Sequence, residues 1–122
     1  MGIKNSQLEQ AFRIHYYDLD AWGKLRADRL MEMFGEVAWM HANELELGYD
    51  NLMLHNQLWV LSAVSIRFRD QVKWGEEIVL KTHISGQKAF YYFRDLRIEN
   101  KEGRPLIDCR TQWIVLNADN RR

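Results

Sequence analysis

An aspartate and a glycine, Asp20 and Gly23, stand in the segment YYDLDAWG just ahead of a long helical stretch. A carboxylate placed there can activate a water or attack a carbonyl carbon, while amides at the start of the helix, reinforced by its dipole, receive the developing oxyanion. Gly23 lets a carbonyl approach the backbone closely. Asp20 is equally the residue type that closes a turn or caps a helix, and both readings stay open. Glu36 is a second carboxylate candidate, or a solvated or subunit-facing glutamate on a polar stripe. His41 falls on the apolar side of the same helix, as a hydrogen-bonded core histidine or as a site residue.

Other reactive types form no pattern. His15, His55 and His83 are not at metal-ligand spacing with one another or with Cys109, so no metal and no cofactor is expected. Cys109 lies between Asp108 and Arg110, but adjacent strand residues point to opposite faces, which leaves it a core or half-buried residue. There is no phosphate-binding glycine loop, serine elbow or dinucleotide fingerprint. Aromatic and methionine residues are plentiful: Met31, Met33, Phe34, Trp39, Met40, Trp59, Phe90, Tyr92 and Trp113 can line an apolar tunnel, or pack as ordinary core.

Positioning these groups requires a scaffold, and one helix dominates it. Over residues 27–47, Leu30, Phe34, Val37, Ala38, His41 and Leu45 fall on one side, flanked by Met31 and Ala42; Asp28, Glu32, Glu36, Asn43 and Glu46 form a narrower polar stripe interrupted by Trp39. Gly48 is placed to stop the helix. Before it, alternation from Glu9 predicts a strand, and the residues ahead of Glu9 read as frayed. After it, residues 49–57 read as a loop, followed by strands over 58–70, 77–85, 89–99 and 105–117, with turns at 72–75, 86–88 and 101–104.

A chain of 122 residues is one domain, long enough to bury roughly two thirds of its unfolded surface. Seventeen basic and seventeen acidic residues give zero net charge, which favours neither nucleic acid nor an anionic membrane. The distribution is uneven, with 5 basic and 9 acidic residues through Leu61 and 12 and 8 from Ser62 onward. The sheet half can therefore offer a modest basic surface to an acidic partner. One cysteine fits a reducing compartment. The first ten residues hold no apolar leader core, and no apolar run nears the roughly 18 residues of a membrane span, so a soluble cytoplasmic protein is expected.

A strand, a long helix and four consecutive antiparallel strands describe a single hotdog domain over residues 1–122. This is an α+β fold in which an antiparallel sheet of about five strands wraps one long central helix. A cone-shaped isomerase-like fold would open with more helices. An RNA-recognition fold needs a second helix that residues 100–104 cannot hold, so the aromatic run at 89–93 is not read as a nucleic-acid surface.

The segment from Tyr16 to Gly23 resembles hotdog thioesterases, in which a strand ends in an aspartate-containing loop leading to a glycine and then the central helix. Nearly the whole chain is similar to acyl-ACP thioesterases. The shared residues are Arg13; Leu30, Met31, Glu36, Ala38 and His41; Leu58-Trp59-Val60; Trp74-Gly75; Gln112-Trp113-Ile114; and Asn120-Arg121-Arg122. The resemblance implies an acyl-thioester hydrolase releasing fatty acid from acyl carrier protein or CoA. Asp20 would be base or nucleophile beside Gly23, with Glu36 matching the helix glutamate of some hotdog thioesterases. Met31, Phe34, His41, Trp59, Phe90, Tyr92 and Trp113 would hold the acyl chain, and basic residues of the sheet half would dock the carrier protein.

The resemblance also implies a division of labour. Plant and bacterial members carry two hotdog units, with the chain-length-selecting cavity in the first and the catalytic histidine, asparagine and acidic or cysteine residues in the second; this chain matches the first. Single-unit hotdog thioesterases follow the glycine with histidine, valine and two asparagines, where this chain has Lys24, Leu25, Arg26 and Ala27. The alternative is therefore a non-catalytic acyl-binding or specificity domain. An exposed sheet edge predicts a homodimer or higher homo-oligomer with sheets joined edge to edge.

Overall fold

Strand β1 (Gln7–Arg13) alternates exposed and half-buried positions, Leu8 and Phe12 facing the core. A computed structural model of the chain describes residues 7–45, 49–117 and 119. Gln7 and Leu8, expected to fray, are paired in β1 with His83 and Thr82. A 3-10 turn at Tyr16–Asp18 then delivers the chain to helix α1 (Ala27–Glu44). The junction is fastened by Asp18, which is fully buried. Its carboxylate accepts from the His15 amide at 2.8 Å and from Arg29 Nε at 2.6 Å, and its carbonyl accepts from the Arg26 amide at 2.9 Å. No side chain caps α1; Arg26 instead pairs with Asp28 in its first turn.

Helix α1 buries Leu30, Met33, Phe34, Val37 and His41, so Met33 joins the buried face, while Ala38 and Leu45, also expected there, are half-buried, Leu45 just past the helix end. The helix ends at Glu44, three residues short of the expected 47; Gly48 lies outside the described residues, as do Asn120, Arg121 and Arg122. The stretch read as loop contains a second short helix, α2 (Tyr49–Leu54), which packs on the next strand. Six residues carry too little periodic signal for a helix to be read from sequence.

The remaining strands are β2 (Gln57–Phe68), β3 (Glu77–Lys88), β4 (Tyr91–Asn100) and β5 (Pro105–Asn117), in one antiparallel sheet of order β1-β3-β4-β5-β2. Only β3, β4 and β5 form a meander. The expected four-strand meander is corrected by β2, which pairs with β5 at the far edge, so α1 carries the chain from one edge of the sheet across to the other. The turn expected at 86–88 lies instead at 89–90. Ala89 there takes a left-handed φ of 54°, while Gly86 sits in β3 beside a register shift between Ile84 and Gly86. Ile78, Leu80, Leu96, Ile98, Ile107 and Cys109 of the inner sheet face meet α1 in the core. No helix among the described residues is long and apolar enough to cross a membrane.

Candidate functional site

Gly35, Ala38 and Ala42 are spaced three and four apart, which puts them on one side of α1. Their small side chains leave a gap between helix and sheet. That gap is a cleft of about 390 Å³, closed by Leu52 of α2 and by residues of β2, β3, β4 and β5. Its sheet wall is aromatic. Trp59 of β2 meets Tyr92 of β4 edge-on at 4.9 Å between centroids, and Trp113 of β5 edge-on at 6.4 Å. Edge-to-face pairs of this kind add roughly 0.5–1.5 kcal/mol each beyond the area they bury.

Beneath the aromatic wall lies a polar floor. Arg94, on β4, is 6% exposed and lines the cleft. Its Nη1 donates to His41 Nδ1 and to Thr82 Oγ1, both at 2.9 Å. Thr82 passes its own proton to the Asp95 carbonyl at 3.1 Å, and Thr111 donates to the Arg94 carbonyl at 3.1 Å while accepting from Trp113 Nε1 at 2.8 Å. Three strands and α1 are thereby tied together in the interior. Burial pushes the Arg94 guanidinium down to about 10, and it remains a cation at neutral pH. Sequence reading passed over this residue, although Arg94 shares strand parity with the inward-facing Leu96 and Ile98.

The residues expected to form one site are divided by the structure. Trp59, Tyr92 and Trp113 line the cleft together. His41 is fully buried at the polar floor. Phe34 is part of the core and Met31 packs against it, neither on the cleft wall, while Phe90 is 75% exposed in the turn between β3 and β4. Glu36 is exposed on α1. Asp20 is exposed and closes a turn: its Oδ1 accepts the Trp22 amide at 2.8 Å and the Lys24 amide at 3.0 Å, with Gly23 at φ 77° completing the reversal. The Lys24 amide above all, with the Trp22 amide, holds the Asp20 carboxyl below its usual range. Asp20, Gly23 and Glu36 do not line the cleft.

The outer face of the sheet is laced by cross-strand ion pairs. Arg110 forks onto Asp95, Arg97 and Arg69 share Asp108, and Lys81 lies between Glu99 and Glu9. Much of the basic surplus of this half is neutralised there.

Residues 5–122 match the family model described as the acyl-ACP thioesterase N-terminal domain. Among solved structures, the chain is similar to an acyl-ACP thioesterase from Bacteroides thetaiotaomicron, with a TM-score of 0.92 and 22% identity over 100% of this chain and 50% of that one. A putative oleoyl thioesterase from Lactobacillus plantarum superposes with a TM-score of 0.89 and 20% identity, covering 99% and 47%. The probable thioesterase YbaW from Escherichia coli gives 0.83 and 15%, covering 94% and 86%. The likeness establishes the hotdog fold, and the chain spans about half the length of the first two relatives. No curated protein sequence gives a significant match.

Proposed function

This chain belongs to the acyl-ACP thioesterase N-terminal domain family, and on that premise we propose that it is the acyl-binding unit of an acyl-thioester hydrolase acting on acyl carrier protein. The observation that carries this reading is the cleft under Trp59, Tyr92 and Trp113. Its volume of about 390 Å³ falls within the ~300–1,000 Å³ of small-molecule sites, and its wall is predominantly apolar. No carboxylate lines it among the described residues. An acyl chain gains by burial there, and attack on the thioester is left to groups beyond the cleft wall.

A second reading, hydrolysis by this chain's own Asp20, is favoured by a carboxylate kept ionised in the loop that leads into α1. Assay of an acyl-ACP and acyl-CoA panel, with Asp20→Asn alongside and mass spectrometry of bound lipid, separates the two. Retained acyl chains without turnover support the binding unit. Turnover that Asp20→Asn abolishes in a folded protein assigns the chemistry to Asp20, and neither lipid nor turnover removes both readings.

We further propose self-association along β2. This edge strand is 12 residues long and exposes Leu61, Val64 and Phe68, an unblunted edge of the kind that pairs with another chain. Light scattering at micromolar concentration should show a dimer, and a monomer would refute the idea. Docking of the carrier protein rests on Arg67, Lys73 and Lys88, which make no ion pair among the described residues. Charge reversal at all three should weaken acyl-ACP binding and leave binding of a free acyl chain unchanged.

A further inference from the structure

Arg94 is the one charged residue lining the cleft among the described residues. It is 6% exposed, yet among the described residues no carboxylate pairs with it, and every hydrogen bond its side chain donates there leaves Nη1, toward two neutral acceptors. Nε and Nη2 find no acceptor among the described residues. The nearest acid in sequence, Asp95, faces the opposite side of the sheet, where Arg110 holds both its oxygens at 2.7 and 3.0 Å. Proteins bury an arginine when its charge is matched, and a guanidinium with one edge open matches a carboxylate in fork geometry. The cleft thus presents one unmatched positive charge at the foot of an apolar, aromatic wall.

We propose that Arg94 anchors a carboxylate carried on an aliphatic chain: the carboxylate seats against the open Nε and Nη2 edge, and the chain lies along Trp59, Tyr92 and Trp113. This rests on the reading of the cleft as an acyl site and gives its ligand a charge. An inorganic anion would satisfy the guanidinium but gain nothing from the wall; an uncharged chain would gain the wall but leave the cation unmatched. The carboxylate has two chemical sources. It is the head of a free fatty acid, or the far end of an acyl group that carries a second carboxyl.

Isothermal titration of the whole chain at neutral pH tests this with ligands of equal length. Decanoate is compared with decan-1-ol, and decanoyl-pantetheine with its ω-carboxy counterpart. Decanoate binding about tenfold or more tighter than decanol assigns the free-acid source; the same preference for the ω-carboxy thioester assigns the other. Arg94→Gln should reduce the favoured ligand to the affinity of its uncharged partner, and Arg94→Lys should keep part of the preference. Equal affinity within both pairs for the unaltered protein overturns the anchor while leaving the acyl site standing. Binding of none of the four overturns the acyl site and the anchor with it. The comparison on the unaltered protein needs no variant to fold.

Discussion

Arg94 Nη1 lies 2.9 Å from His41 Nδ1, and because a guanidinium carries only donors, the histidine must accept. His41 is therefore the tautomer protonated at Nε2, and long-range proton–nitrogen NMR correlations should find Nδ1 unprotonated at neutral pH. The same argument orders Thr82, which accepts from Arg94 and donates to Asp95.

Thr82→Val preserves shape and removes the second acceptor of that charged donor. A hydrogen bond to a charged group contributes about 1.5–3 kcal/mol, and the guanidinium proton left behind is buried. The unfolding free energy should fall by that amount, and the denaturation midpoint by that amount divided by the slope, with the slope itself unchanged.

Asp18 and Asp20 are two residues apart and should behave oppositely. Asp18→Asn weakens a carboxylate that is fully buried against Arg29 and the His15 amide. Arg29 is partly solvated, so the loss should be about 2 kcal/mol, below the ~3–5 kcal/mol of a fully buried pair. Asp20→Asn should leave the midpoint where it is, since the residue is exposed and the amide oxygen still accepts.

Acid should weaken the outer sheet face. The Arg110 fork holds Asp95 below its usual 3.8. For Asp108 burial works upward, but the hydrogen bonds of Arg97 and Arg69 outweigh it and the net direction is down. A carboxyl depressed by folding contributes stability above its unfolded value, and that contribution disappears as pH falls through the lower folded value. Melting temperature should hold from neutrality to about pH 4 and drop below it, and Asp95→Asn should flatten the drop.

Burial above all, with the Asp95 charge adding to it, pushes the Cys109 thiol up to about 11. With almost no thiolate and no access at pH 8, the native thiol should resist Ellman's reagent. Its labelling rate in denaturant should follow global unfolding; fast labelling of the native protein would contradict its place in the core.

The helix and the strands were legible because each is strongly periodic, and Trp59, Tyr92 and Trp113 were candidates by type together with the family resemblance. Pairing was less so. Sequence neighbours usually pair, and nothing in the residues 58–68 says that β2 will bypass β3 for β5. That Asp18 is buried while Asp20 closes an exposed turn needed burial, which two aspartates in one turn do not reveal. Arg94 was hidden for a different reason: the run Arg94-Asp95-Leu96-Arg97 reads as charged surface unless each residue is assigned to a face. Phe34 and Phe90 show the converse, since aromatic type suggested the cleft while packing sent one to the core and one to solvent.

The placement of β1 and β2 at opposite edges bears on how the chain assembles. Gln57 finds its partner in Asn117, so β2 waits until β3, β4 and β5 have all been made. Until the last hairpin arrives, a 12-residue strand with Leu61, Val64 and Phe68 has no neighbour on either side. Closure of so long a loop is slow, and an unpaired apolar strand is open to other chains meanwhile. Refolding should therefore lose yield as protein concentration rises, and a nascent chain released before β5 emerges would be a client for chaperones.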